Sequence, residues 1–166
     1  SISFAENNTN TVTTVTSTDQ DASDTDAYSI SGTDVDDFSI NAGSGVLTFV
    51  NTPDFENPTD SNTDNTYIVI VTVTDSGSFT GTQTIIVSVT GVNDNQPSIT
   101  SNSAGSTASI SFAENNTSAV TTVTSSDTDA GDTDAYSISG TDVDDFAINA
   151  GSGVLTFVNT PDHENP

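Results

Sequence analysis

The four glutamates of this sequence are Glu6, Glu56, Glu114 and Glu164; the other 20 acidic residues are all aspartate. They form two pairs, because residues 1–58 recur as residues 109–166 at a constant offset of 108. A chain that uses Asp everywhere else thus keeps the longer carboxylate at two fixed places. Bidentate or bridging ligation of a hard cation explains that choice, since calcium gathers about six to eight oxygens from carboxylates, amides and carbonyls. Duplication explains it equally well, since near-identical copies repeat any residue they start with.

Other acidic groups fall at fixed places around those glutamates. The chain reads FAEN at 4–7, DQD at 19–21, PDFE at 53–56, VTD at 73–75, VNDNQP at 92–97 and DTD at 127–129. The loop from Asp127 to Asp132 fails as an EF-hand, because Gly131 stands at position five instead of six and Ile138 occupies the place of the closing Glu. Asp34, Asp36 and Asp37 read as a solvated turn. His163 lies between Asp162 and Glu164, but the first copy has Phe55 there, so no shared catalytic role attaches to it and it reads as an exposed, tolerant position. Paired carboxylates also serve glycoside hydrolysis, yet the chain has no Trp or Arg to grip a sugar. The sequons at Asn7 and Asn115 read either as glycan acceptors or as local hydrogen-bonding turns.

Composition removes further classes. A formal charge of −24 without one Lys or Arg excludes nucleic acid and anionic membrane as partners, because no side chain can pair with phosphate. The absence of Cys excludes disulfides and thiolate zinc, and no apolar run is long enough to insert directly into a membrane.

Elements must hold these acids in place. Strand-like alternation of Val, Ile, Phe and Tyr marks residues 1–4, 12–16, 28–31, 38–41, 46–50, 67–74 and 82–90, separated by Asp/Gly/Asn/Pro/Ser turn chemistry. On that pattern Tyr67, Val69, Val71 and Val73 share one face, as do Ile85, Val87 and Val89. Phe4, Val15, Tyr28, Ile30, Phe38, Ile40, Leu47 and Phe49 complete the expected core. Seven short strands without a helical period predict an all-β fold, a seven-stranded Greek-key β-sandwich in tandem repeats. The two copies of the 58-residue stretch differ at seven positions, among them Asn10/Ser118, Ser23/Gly131 and Phe55/His163. A period this long suits an array of whole domains. The expected division is 1–97, its first strand truncated at the N-terminus, and 98–166, incomplete at the C-terminus, both cut from a longer array.

In order and spacing, the FAEN, DQD, PDFE, VTD, VNDNQP and DTD motifs resemble those of the cadherin repeat. The resemblance spans the whole first copy and all that is present of the second. It implies calcium at the junction of successive repeats, held by Glu6, Asp54, Glu56, Asn93, Asp94 and the Asn95 carbonyl from one side. Asp127 and Asp129, with a group near Asp132, are implied from the other. Asp19, Asp21 and Asp75 are the equivalent set toward a preceding repeat, and Glu114, Asp162 and Glu164 toward a following one. The linker departs from the family at Gly91, where Asp is frequent, which alters the outermost ion's environment. The implied function is a calcium-rigidified extracellular repeat, a stalk or adhesive module of a large secreted or surface protein, with a bacterial surface array as the expected setting. Neighbouring repeats, other copies of the chain and cell-surface ligands are its implied partners. The alternative is the subunit of a self-assembling filament or matrix completed by strand exchange between chains.

Overall fold

A computed structural model describes residues 1–21 and 25–164, which fall into two compact units, Ser1–Val92 and Asn93–Pro166. The first unit contains seven strands: β1 (Ile2–Ala5), β2 (Thr13–Thr14), β3 (Ala27–Ser31), β4 (Phe38–Ile40), β5 (Val46–Phe49), β6 (Thr66–Thr74) and β7 (Thr80–Thr90). Two sheets result, β1-β7-β6-β3 and β2-β5-β4. β1 runs parallel to β7, and every other pairing is antiparallel. The architecture is the expected all-β sandwich.

Side-chain alternation drives it. In β6, Tyr67, Val69 and Val71 are buried while Ile68 faces outward. The register sets Tyr67 opposite Val87 and Val69 opposite Ile85, so both long strands turn the same kind of face toward the core. Leu47, Tyr67, Val69 and Val87 are fully enclosed. Phe49, partly buried, packs against this core with ring centroids 4.6 Å from Phe38, 5.1 Å from Tyr67 and 5.2 Å from Phe4. The tilted and edge-on geometries are those the aromatic quadrupole favours.

β2 is shorter than the predicted 12–16 span. Its hydrogen bonding nonetheless continues outward, from the Val12 N–H to the Leu47 carbonyl and from the Val15 N–H to the Gly45 carbonyl, both at 2.9 Å. Gly45 has φ +68°, and a Cβ there would lie 2.1 Å from the Val15 oxygen. Only glycine fits that turn.

The second unit contains β8 (Ser98–Ile99), β9 (Thr121–Thr122), β10 (Ser125–Ser126), β11 (Phe146–Ile148) and β12 (Val154–Phe157). β8 pairs with β10, and the sheet β11-β12-β9 repeats β4-β5-β2. Phe146 faces Phe157 as Phe38 faces Phe49, again with centroids 4.6 Å apart. Residues 135–139 match β3 in sequence but form no strand. In the first unit β3 is paired by β6.

Candidate metal centre

Glu6 follows directly on β1. Its N–H donates to the Thr90 carbonyl at 3.0 Å, extending the β1–β7 ladder by one rung, and Asn7 then turns the chain away with φ 58°. The ladder carries the Glu6 side chain inward, where it is only 3% exposed. Its Oε2 accepts the Phe55 N–H at 2.7 Å and its Oε1 accepts the Val92 N–H at 2.6 Å. Each oxygen therefore meets one donor and keeps lone pairs for another partner.

Asp54 organises the neighbouring loop. Its Oδ1 accepts the N–H groups of Glu56 at 3.1 Å and Asn57 at 3.0 Å, an Asx-type turn that lifts Glu56 toward Glu6. A carboxylate oxygen of Glu56 comes within 4.8 Å of one on Glu6. Two like charges about 4 Å apart repel by roughly 1 kcal/mol in water and about 4 kcal/mol at the dielectric of a protein surface. No cationic side chain exists in the sequence to relieve that repulsion.

The second unit builds the same arrangement from the repeated residues. Glu114 Oε2 accepts the His163 N–H at 3.1 Å, and Asp162 Oδ1 accepts the Glu164 N–H at 3.0 Å. Oxygens of Glu114, Asp162 and Glu164 all lie within 4.8 Å of one another, on an exposed surface. The sequence-predicted trio is thus brought together in space.

Asn93, Asp94 and Asn95 are exposed and begin this second unit. Asp129 clasps two of them: its Oδ2 accepts the N–H groups of Asp94 at 3.1 Å and Asn95 at 2.9 Å, and its Oδ1 accepts the Asn95 amide at 2.9 Å. Asn95's amide is the main cause holding the Asp129 carboxyl below its ordinary range, with the two backbone donors and Asp127 assisting and burial opposing. Asp127 in turn accepts the Asp129 N–H at 2.8 Å through Oδ1. Its Oδ2 is buried without a hydrogen-bond partner among the described residues. Asp127, Asp132 and Asp134 place carboxylate oxygens within 4.8 Å of one another.

Asp134 was absent from the sequence-derived set. The signal was present, since Asp132 and Asp134 make a second D-x-D two residues after the first. Asp134 is anchored by the Ser125 hydroxyl, which also bonds the Tyr136 hydroxyl at 2.6 Å. Asp26, Ser17 and Tyr28 repeat that network in the first unit.

Asp19, Asp21 and Asp75 are more dispersed. Asp19 accepts the Asp21 N–H at 2.7 Å, as Asp127 does for Asp129. Asp75 closes the β6–β7 hairpin by accepting the Phe79 N–H at 2.8 Å. Among the described residues these three form no group as tight as the others.

One expectation is corrected. Asp34 is no solvated residue: it is 4% exposed and accepts the Ser61 N–H at 2.9 Å and the Ile68 N–H at 2.7 Å. Buried Asp60 does the same for Asp64 and Asn65, at 3.0 and 3.2 Å. These two carboxylates satisfy backbone donors that the loop leading into β6 would otherwise bury unpaired. Of the other two acids in that turn, Asp36 is exposed and Asp37 half-buried, accepting the Thr59 hydroxyl at 2.6 Å.

Residues 1–90 match the family model of the cadherin domain. No curated protein matches the sequence. Among solved structures, mouse cadherin-23 EC22-24 matches with TM-score 0.73 and 22% identity, over 99% of this chain and 54% of that one. A protocadherin gammaB7 EC3-6 cis-dimer structure matches with TM-score 0.79 and 21% identity, over 99% of this chain and 43% of that one. Human protocadherin-24 EC1-2 matches with TM-score 0.73 and 20% identity, over 99% and 77%. The chain therefore spans about half the length of the cadherin-23 chain and less of the gammaB7 chain. These likenesses are of fold, and the family model covers more than half of the residues. The chain belongs to the cadherin domain family.

Proposed function

We propose that this chain is a calcium-rigidified stretch of cadherin repeats serving as a stalk or adhesive module of a large secreted or surface protein. Cadherin domains are extracellular structural and adhesive modules, not enzymes. The observation that carries the calcium reading is the Glu114–Asp162–Glu164 cluster, built at the same repeat positions as Glu6, Asp54 and Glu56 in a sequence without Lys or Arg. The donor set fits the ion: every candidate atom is a hard oxygen, and Asp127 Oδ2 is a buried acceptor with no hydrogen bond.

In this reading the repeats run over 1–97 and 98–166. Glu6, Asp54, Glu56, Asn93, Asp94 and the Asn95 carbonyl hold calcium together with Asp127, Asp129 and Asp132, to which we add Asp134. Asp19, Asp21 and Asp75, and likewise Glu114, Asp162 and Glu164, serve the flanking junctions. Bound calcium supplies the positive charge that cancels carboxylate repulsion. The chain's own contribution is orientation: backbone donors fix one oxygen of Asp54, Asp127 and Asp162 and both of Glu6, leaving lone pairs free for a cation. Adjacent repeats of the same protein are the first partners, with other copies and cell-surface ligands beyond them.

Small-angle scattering and thermal melting, each with about 10 mM calcium and with chelator, test the proposal. For extracellular-module affinities of about 10⁻⁴ to 10⁻³ M, each site stabilises by about 1–3 kcal/mol. That corresponds to a rise in Tm of roughly 5–15 °C, together with a longer and narrower distance distribution. Identical melting curves and scattering profiles in the two buffers would defeat the proposal.

A further inference from the structure

We propose that Phe55 and Gly91 form a metal-independent latch that positions Glu6 and orders the exit of the first repeat. The contact is a ring laid on a backbone. A methyl group at position 91 would stand 3.1 Å from Phe55 Cδ1, 3.4 Å from Cγ and 3.5 Å from Cε1, so the ring occupies the space any side chain would need. Gly91 is not among the glycines with positive φ, and glycine is required there for room, not for conformation. The other side of Phe55 packs against the hydrophobic core.

Hydrogen bonds converge on the same place. The Phe55 N–H and the Val92 N–H go to the two oxygens of Glu6, at 2.7 and 2.6 Å. The Phe55 carbonyl accepts the Asn65 amide at 2.9 Å, and the Asn65 carbonyl accepts the Val89 N–H at 2.9 Å. Four separate segments are tied together: the turn after β1, the 53–57 loop, Asn65 at the entry to β6 and the end of β7 with its exit. Glu6 is the electrostatic tie and Phe55 the apolar one. All of these contacts lie within the first unit and none involves an ion, so this latch does not rest on the calcium reading.

The position is one of the seven that differ between copies. His163 replaces Phe55 in the second unit, where it is exposed and its N–H reaches Glu114 at a longer 3.1 Å. An apolar phenyl ring at this place is therefore a property of the first copy.

Amide hydrogen exchange of the whole chain in chelator tests the latch, with Val92 as reporter and Val69 and Val87 as core controls. The wild-type Val92 amide is expected to be protected without calcium. Phe55→Ala and Gly91→Ala are each expected to speed its exchange by about tenfold, with Val69 and Val87 unchanged in Gly91→Ala. If Phe55→Ala loosens the whole unit, Gly91→Ala decides, because it leaves the core residues intact. Unchanged Val92 exchange in Gly91→Ala, or equal acceleration of all three amides, would overturn the latch. Calcium binding is read in a separate arm, so a chain that binds none can still possess the latch, and a chain that binds it can lack one.

Discussion

Asp34→Ala is expected to destabilise the first unit by about 2–5 kcal/mol. The carboxylate accepts two backbone N–H groups, from Ser61 and Ile68, inside a region where Asp34 is 4% exposed. Removing it strands both donors, at about 1–3 kcal/mol for each buried group left unpaired. Asn is a poor substitute, because its oxygen satisfies one donor while its NH₂ is turned toward the other. The repeat provides the control: Asp142 occupies the equivalent position and is exposed. Asp142→Ala should therefore stay within about 0.5 kcal/mol of wild type. Exchange of the Val69 and Val87 amides reads the first unit by itself. Equal effects of the two substitutions on that readout would show that the buried hydrogen bonds do not govern its stability.

Leu47→Ala gives the second large effect. Leu47 is fully enclosed, packed in the cluster that holds Phe38, Tyr67 and Val87. Truncating a buried leucine costs about 2–5 kcal/mol, the spread reflecting how far the cavity collapses. Rigid aromatic neighbours, with Phe49 edge-on to Tyr67 at 5.1 Å, argue for the middle of that range or above. Leu155 lies in an identical local sequence but is only half-buried. Leu155→Ala removes less apolar area from contact and should cost about 1 kcal/mol. Thermal melting combined with core-amide exchange separates the two. A Leu155→Ala loss as large as that of Leu47→Ala would contradict the burial assigned to the second unit.

Local chemistry made much of the fold readable. Alternation in β6 and β7 pointed Tyr67, Val69, Val71, Val73, Ile85, Val87 and Val89 inward, and all are buried except Val73, which is half-buried. The grouping of Glu114, Asp162 and Glu164 was implied by the resemblance of their motifs to the cadherin repeat, and their oxygens do come together. Other features depended on distant partners. Asp34 looked like a solvated turn because its donors come 27 and 34 residues later, one in the loop before β6 and one in β6 itself, where no local pattern reveals them. The same distance hid the pairing of Phe55 with Gly91: a ring seeking a gap and a glycine providing one carry no mutual signal in one sequence. Asp134 is not set apart by its motif, because D-x-D occurs at both 127–129 and 132–134 and the pattern alone does not say which acids meet.

The central claim is that divalent cations hold these repeats through clustered oxygens. Equilibrium dialysis against labelled calcium at millimolar concentration, at neutral pH, tests it most directly. The account predicts saturable binding to the whole chain. Binding should fall in Glu56→Ala and fall further when Asp162→Ala and Glu164→Ala are added, with core amide protection unchanged. Absence of saturable calcium at those concentrations, or undiminished binding in the triple variant, would contradict it.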